Sequence, residues 1–255
     1  MPTPSETSPN NNPILSAYES FARETPLVTR YVIQTLVIGY IISFIFDFTF
    51  AISNIPFFTV YRFEIYRLIF APFFSGNLLT VIFGSIAYST YGKIFEYSKG
   101  STNFGVLIFL IGFLTNVTFV FLCIVHSIIT HQNDWLVLKS VGPFSIIPGL
   151  MAFECALAPA GSKRRLLMCE IQTLYFPVVI TLLWFIFSGD NFVLFVSMGF
   201  GYLYAYGRLK SLRPSSSRRK NWESTWLRNF TTRPGWIIGS NVEDDQWLPL
   251  HNAQV

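Results

Sequence analysis

Long apolar runs separated by short charged segments limit how this chain can fold. A helix that spans a bilayer needs about 20 mostly apolar residues, because lipid offers no hydrogen-bond partner to an exposed backbone. Only 13% of the residues are charged, against about 25% in soluble domains. We therefore predict an all-α polytopic membrane protein with six transmembrane helices. The predicted spans are residues 31–52, 68–92, 104–129, 141–158, 166–187 and 191–208.

The lysines and arginines between these runs predict the orientation of the helices. Cytoplasmic segments of membrane proteins are enriched in both residue types. The N-terminal segment, the second and fourth connections and the start of the tail carry 13 of them, whereas the opposite side carries 3, namely Arg62, Arg67 and Lys139. This bias favours an even number of spans, with both termini in the cytoplasm.

Polar segments flank the predicted membrane domain, which covers residues 14–210. Residues 1–13 have low complexity, and we expect them to be disordered. A short interfacial helix is expected over residues 14–21. Residues 211–255 form a basic and aromatic tail, which we predict to be cytoplasmic.

The basic cluster of the tail is expected to contact an anionic membrane surface. Arg218, Arg219 and Lys220 lie beside Trp222, and basic residues close to acidic headgroups bind favourably. An anchor of the positive-inside kind explains the same cluster. Nucleic-acid binding is not expected, because no folded basic domain accompanies these residues.

Short motifs follow one another in a single ungapped register. They are Tyr66-Arg67, Ser75-Gly76-Asn77 and Glu96-x-x-x-Gly100-Ser101. The register resembles the rhomboid superfamily, in which a Trp-Arg pair, a His-Gly-Ser/Asn turn and a Glu-x-x-x-Gly-Ser motif occupy these places. Residues 26–30 read Pro-Leu-Val-Thr-Arg, which is similar to the start of the first helix in Derlins, a non-proteolytic branch.

The same resemblance implies that the catalytic positions are vacated. An active rhomboid needs a serine nucleophile on the fourth helix, a histidine base on the sixth, and polar groups on the second that hold the oxyanion. In the aligned register Gly142 begins the family's Gly-x-Ser-Gly, and Gly201 and Ala205 fit the Gly-x-x-x-Gly after the histidine. The working positions are then Phe144, Met198, Thr80 and Gly84. We expect no enzymatic activity, cofactor or metal.

One acidic residue in an apolar span leaves several interpretations open. Glu154 lies in the fourth span, where an ionisable group is costly. It either has an internal role, for example contact with a client or partner helix, or pairs with Arg164 or Arg165. A small-solute transporter would need a continuous series of such groups, which the sequence does not contain.

Small residues in the sixth span also permit two interpretations. Ser197, Gly201 and Ala205 recur at every fourth residue, a spacing that lets a neighbouring helix approach closely. Packing within the protein explains this pattern, and so does a docking face for a client or partner helix.

The resemblance implies a role in membrane protein quality control. A pseudoprotease similar to Derlins and to rhomboid-like proteins with a ubiquitin-associated domain would recognise transmembrane clients in the endoplasmic reticulum or Golgi membrane. It would link them to a membrane ubiquitin ligase complex and, through a partner, to an AAA ATPase. Short fourth and sixth spans would thin the bilayer and attract clients by hydrophobic mismatch, with Phe144 and Met198 lining the vacated cavity. The alternative is a membrane scaffold or trafficking adaptor without a role in degradation.

Overall fold

The computed structural model describes residues 13–46, 48–159, 161–166, 169–188 and 192–239. Most of the predicted disordered N-terminus and the end of the tail lie outside these residues. The described part is almost entirely helical, as predicted. Its α-helices are α1 Pro13–Glu24, α2 Leu27–Ser43, α3 Phe48–Ile52, α4 Pro56–Tyr61, α5 Tyr66–Phe70, α6 Leu78–Ala87, α7 Lys93–Lys99, α8 Ser101–Thr130, α9 Ile147–Leu157, α10 Phe176–Ser188, α11 Val193–Ala205, α12 Ser216–Ser224 and α13 Arg228–Thr231.

Short irregular segments connect these helices. A π-helical turn, Tyr88–Gly92, joins α6 to α7 without a break. The strands β1 Lys163–Leu166 and β2 Cys169–Gln172 form an antiparallel hairpin. The 3-10 turns are Ala71–Phe73, Asn133–Val137, Pro143–Ser145, Thr173–Tyr175 and Lys210–Leu212.

Apolar helices occupy all six predicted spans. Within the described residues, Leu78–Lys99 and Ser101–Thr130 are long and apolar enough to cross a bilayer. The shorter apolar helices are Leu27–Ser43, Pro143–Leu157, Thr173–Ile186 and Val193–Ala205. The number of crossings and the cytoplasmic placement of the termini remain predictions.

The second span begins at Leu78 rather than at residue 68, because local chemistry interrupts the apolar run. Pro72 lacks the N–H that a continuing helix needs, and Phe74 is extended. Asn77 then caps the new helix, since its Oδ1 accepts hydrogen bonds from the N–H groups of Leu79 at 2.9 Å and Thr80 at 3.4 Å.

The fifth helix also begins later than predicted. Residue 166 ends strand β1 of the hairpin, and the helical segment starts at Thr173. Lys163 and Glu170 are diagonal neighbours across the hairpin, with 3.5 Å between Nζ and Oε2, and both are exposed. The charged side chains of these strands thus remain in solvent, and the apolar part of the span is shorter than the hydropathy suggests.

The main core lies between α2, α8, α9 and α11. Here α11 touches α9 backbone to backbone, since a Cβ added to Gly201 would lie 2.1 Å from the carbonyl oxygen of Gly149. The N–H of Gly149 also donates to Ser197 Oγ at 3.1 Å, and both Ser197 and Ala205 are fully buried. These contacts favour packing within the protein as the role of the small residues on α11.

The tail packs against the bundle. Ser101 and Ile237 exchange two hydrogen bonds, from Ser101 N–H to the Ile237 carbonyl at 2.8 Å and from Ile237 N–H to Ser101 Oγ at 2.9 Å. Arg219 is only 1% exposed, and its Nη1 donates to the Pro214 carbonyl at 3.0 Å. The expectation that Arg219 contacts a membrane surface is therefore wrong, although its neighbours Arg218 and Lys220 are exposed.

The bundle has two ends, which helix α8 connects. The tail end consists of residues 96–101 and 210–239, where α8 begins. The loop end consists of residues 48–77 and 131–145, where α8 ends. The 30 residues of α8 make these ends about 45 Å apart along its axis.

Candidate functional site

A cavity of about 500 Å³ lies at the loop end. Hydroxyl groups, one amide and one ammonium group line much of it, which is unusual between apolar helices. Such a wall can form hydrogen bonds with a polar group that would be costly in lipid. The lining residues are Thr49, Ser75, Gly76, Asn77, Thr80, Lys139, Ser140, Val141, Phe144, Ser145, Val193 and Leu194.

Phe144 and Thr80 both lie on this wall. Phe144 belongs to the 3-10 turn before α9, which the positive φ of Gly142, 102°, makes possible. Ser145 follows it, but its Oγ donates to the Gly142 carbonyl at 3.0 Å and the residue is 3% exposed. An aromatic ring thus occupies the position where the resemblance places a nucleophile.

Gly84 and Met198, the other vacated positions, are not among the lining residues. A Cβ at Gly84 would lie 2.7 Å from Cγ of Pro143 and 3.1 Å from Cδ2 of Leu36, so this glycine permits close helix packing. Met198 lies one turn beyond Leu194 on α11, further from the loop end. The structure thus does not place Met198 beside Phe144 on this wall.

An aromatic cluster that sequence reasoning missed closes one side of the cavity. The rings of Phe144 and Trp184 have their centroids 4.6 Å apart, and Trp184 is 5.5 Å from Phe83. The cluster links α6, α10 and the turn before α9. A tryptophan near the end of the fifth predicted span, residues 166–187, was the signal that could have identified it.

The histidines of the described residues lie away from the cavity wall. His126 packs on Trp135 with 3.9 Å between ring centroids, and His131 ends α8 with a φ of 56°. Lys139, which does line the cavity, has its Nζ 5.0 Å from the centroid of the Phe50 ring. The described wall can therefore offer hydrogen bonds and a positive charge, but no imidazole.

The Tyr66-Arg67 pair organises the first loop. Arg67 is 4% exposed, and its Nη1 donates to the carbonyls of Phe50 and Ser53, each at 2.7 Å. Its Nε donates to Glu64 Oε2 at 2.5 Å, and this hydrogen bond lowers the pKa of the Glu64 carboxyl below its usual value. Tyr66 donates to the same carboxylate at 3.1 Å.

A buried network of asparagines, which sequence reasoning also missed, attaches this loop to α8. Asn116 on α8 is fully buried, and its Nδ2 donates to the Leu68 carbonyl at 3.0 Å. Asn54 Nδ2 donates to Asn116 Oδ1 at 3.3 Å. Asn54 and Ser140 also exchange two backbone hydrogen bonds of 2.9 Å. An asparagine inside an apolar span was the available signal.

The Glu96 motif joins three distant parts of the chain at the tail end. Glu96 is fully buried, and its Oε2 accepts from the N–H and Oγ1 of Thr29, each at 2.8 Å. Its Oε1 accepts from Val28 N–H at 2.9 Å and from Ser101 Oγ at 2.5 Å. The carboxylate thus caps the N-terminus of α2, where Pro26 offers no side-chain cap.

Gly100 allows the tail to approach this junction. Its φ is 86°, and a Cβ at this position would lie 2.2 Å from Cα of Gly239. Both features require glycine. The Gly100-Ser101 part of the motif therefore provides the contact surface for the tail.

Comparison with known proteins places these features in a family. Residues 30–226 match the family described as eukaryotic integral membrane protein (DUF1751). The chain belongs to this family. It is 24% identical over 239 residues to Rhomboid-like protein 15 of Arabidopsis thaliana, an alignment that covers 90% of this chain and 59% of that relative. The chain therefore spans less than two thirds of the relative's length. No solved structure matches the chain.

These similarities support a rhomboid-like integral membrane protein. The DUF1751 match includes the cavity, Glu96 with Gly100 and Ser101, and helix α12 of the tail. It does not show a Derlin-like branch or one with a ubiquitin-associated domain.

Glu154 lies outside the cavity of this DUF1751 protein. Its Oε1 forms an ion pair with Nη2 of Arg164, whose guanidinium carbon lies 5.5 Å from the centroid of the Phe176 ring. Of the interpretations open from the sequence, this contact favours pairing with a nearby arginine over a place in the cavity wall.

Proposed function

We propose that this chain is a catalytically inactive rhomboid-like protein of the endoplasmic reticulum or Golgi membrane, which recognises transmembrane helices of client proteins. It would pass them to a membrane ubiquitin ligase complex. The observation that carries the proposal is the loop-end cavity, on whose wall Phe144 packs on Trp184; the resemblance assigns Phe144 to the nucleophile position.

The chemistry of the cavity suits a client helix that is partly polar. Thr80, Asn77 and Ser75 offer hydrogen-bonding groups on the wall, whereas a polar group in hydrocarbon has no partner. The aromatic cluster between α6 and α10 would cover the apolar part of such a helix. The protein would thus still bind a client helix, although the groups that hydrolysis needs are replaced.

The short helices beside the cavity support recognition through a thinned bilayer. Helix α11 has 13 residues, about 20 Å in length, whereas the hydrocarbon core is about 30 Å thick. Such a mismatch costs fractions of a kcal/mol per Å. A client whose own helix is short or partly polar would lower this cost by moving next to α11.

The step after recognition rests on the resemblance to Derlins. Ubiquitin ligase subunits would bind this protein in the membrane, and an AAA ATPase would be recruited through a partner. The tail is packed against the bundle at Ser101 and Gly100, so the exposed residues of α12 and α13 remain as a surface for these contacts.

The proposal is tested by filling the cavity in the full-length protein. Thr80→Phe places a ring in the cavity, and Thr90→Phe is the matched control, because Thr90 is exposed on the same continuous helix outside the lining residues. Purification in mild detergent should recover ligase subunits and short-lived membrane proteins with the wild type. We expect Thr80→Phe to reduce client recovery roughly fivefold, equivalent to about 1 kcal/mol of binding, and to lengthen client half-lives.

Two results would contradict the proposal. A scaffold or trafficking adaptor would retain only stable partners, and client half-lives would not change when the gene is deleted. An active protease would release cleaved client fragments from the purified wild-type protein, and Thr80→Phe would abolish them.

A further inference from the structure

A second, apolar groove runs along the bundle from the tail end, with a volume of about 670 Å³. Helices α2 and α8 both line it, with Tyr31 on α2 and Gly105 on α8 among the lining residues. Aromatic residues of the tail, among them Trp222, Trp226 and Trp236, cover its mouth. The lining residues of the groove differ from those of the loop-end cavity, and the two sets come closest in the chain at Phe74-Ser75.

Several polar groups of the groove already have partners. Thr102 Oγ1 donates to Glu223 Oε1 at 2.5 Å, and Ser101 Oγ donates to Glu96. Among the described lining residues, the indole Nε1–H of Trp236 is the polar group that is both buried and without an acceptor. A buried donor without a partner is costly, so an acceptor at the mouth of the groove would stabilise it.

Positive charge surrounds the same mouth. Arg233 Nη1 donates to the hydroxyl of Tyr31 at 2.5 Å, and its guanidinium carbon lies 5.4 Å from the centroid of the Phe230 ring. Arg30 donates to the carbonyls of Ala22 and Pro234. Among the described residues neither guanidinium has a carboxylate within ion-pair distance, so both can attract an anion.

We propose that this groove binds one glycerophospholipid with an acidic headgroup. An acyl chain would lie between α2 and α8, the headgroup would face Arg30 and Arg233, and a phosphate or ester oxygen would accept the hydrogen bond of Trp236. The volume fits a small-molecule site, for which 300–1,000 Å³ is usual. A spanning helix, about 10 Å across and 30 Å long, is several times larger.

The test fills the groove with a large side chain at a position where the structure has space for one. A Cβ added to Gly105 meets nothing within 4 Å, and the same is true of Gly199 on α11, which does not line the groove. Gly105→Phe therefore fills the groove, and Gly199→Phe is its matched control. Native mass spectrometry of the full-length protein in mild detergent would count bound phosphatidylserine and phosphatidylcholine with identical acyl chains.

We expect the wild type and Gly199→Phe to retain one phosphatidylserine, with a preference of roughly tenfold over phosphatidylcholine, as two nearby basic residues predict. Gly105→Phe should lose both lipids. The double variant Arg30→Gln and Arg233→Gln should retain a lipid without the preference, while Arg218→Gln, whose side chain is exposed on α12, should behave as wild type. Trp236→Phe, which keeps a ring but lacks the N–H, should weaken the binding of both lipids.

The proposal is overturned if Gly105→Phe and Gly199→Phe bind phosphatidylserine equally, or if the wild type does not prefer it. It is also overturned if Gly105→Phe abolishes recovery of a membrane protein partner and leaves lipid binding unchanged, because the groove would then accept a helix. Equal thermal unfolding midpoints of the two glycine variants would exclude a folding defect as the cause. Loss of lipid binding in Gly105→Phe with normal client recovery would separate this site from the proposed client cavity.

Discussion

Glu96 at the tail end and Arg67 at the loop end are both buried, but their charges are compensated differently. Glu96 at the tail end is fully buried, and its hydrogen-bond partners are the neutral donors of Val28, Thr29 and Ser101. Arg67 at the loop end binds the carboxylate of Glu64. A helix N-terminus therefore compensates the charge of Glu96, whereas an ion pair compensates the charge of Arg67.

The range of the contacts differs as well. Arg67 reaches carbonyls 14 and 17 residues away. Glu96 reaches residues 67 and 68 positions away, and its partner Ser101 binds Ile237, 136 positions away. The contacts of Glu96 thus determine how distant segments assemble, whereas the contacts of Arg67 determine the shape of one loop. We expect the Glu96 contacts to control global stability and the Arg67 contacts to control the local order of the first loop.

The largest effect should come from Glu96→Gln. A glutamine has one acceptor oxygen and one NH2 group. Its NH2 group must therefore face N–H or O–H donors whose hydrogen bonds the second carboxylate oxygen accepts in the wild type. We expect a loss of about 3 kcal/mol in the free energy of unfolding, since the donors of a buried charged group are left unsatisfied. Equilibrium unfolding in mixed detergent micelles measures it.

Glu19→Gln is the control for Glu96→Gln. Glu19 is exposed on α1, where Oε2 lies 3.8 Å from Arg23, and exposed pairs of this kind contribute at most about 1 kcal/mol. If Glu96→Gln is no more destabilising than this control, capping of α2 does not explain why Glu96 is buried.

A smaller and more local effect is expected from Arg67→Met. The substitution leaves the carbonyls of Phe50 and Ser53 and the carboxylate of Glu64 without their donor. We expect a loss of about 2 kcal/mol, with faster proteolysis of the first loop below the global unfolding transition. Arg62→Met is the matched control, because Arg62 is an exposed arginine of the same loop, which lies over the Phe58 ring at 5.0 Å. Equal cleavage of the two variants would refute a structural role for the Arg67 contacts.

At the tail end the sequence singled out Glu96, Gly100 and Ser101, because their motif is compact. Glu96 lies four residues before Gly100, and the resemblance indicated that this spacing matters. That Glu96 caps α2 could not be predicted, since Val28 and Thr29 are far away in the chain. Docking of the tail was missed for the same reason, because hydropathy contains no information about which surface Ile237 will contact.

Hydropathy misplaced the helix boundaries and missed the polar networks. A sliding apolar pattern ran through Asn77, whose cap starts α6, and through the hairpin before Thr173. It also hid the network of Asn54 and Asn116, since two amides hardly change the mean hydropathy of a span. Trp184 was counted as an apolar residue, although its contact with Phe144 shapes the cavity.

Acid should weaken the loop end by a small amount through Glu64. The hydrogen bond from Arg67 lowers the pKa of this carboxyl in the folded state, so its contribution is complete above the unfolded pKa and is lost as the pH falls through the lower folded value. The effect is small because the Glu64 side chain is 22% exposed, where solvent screens the pair. Hydrogen exchange of residues 50–67 in the wild type should be slower than in Glu64→Gln at neutral pH, and the difference should vanish as the pH falls below the lowered pKa. Equal exchange in the two proteins at neutral pH would mean that the carbonyl contacts of Arg67, which both proteins keep, and not its ion pair, hold the loop.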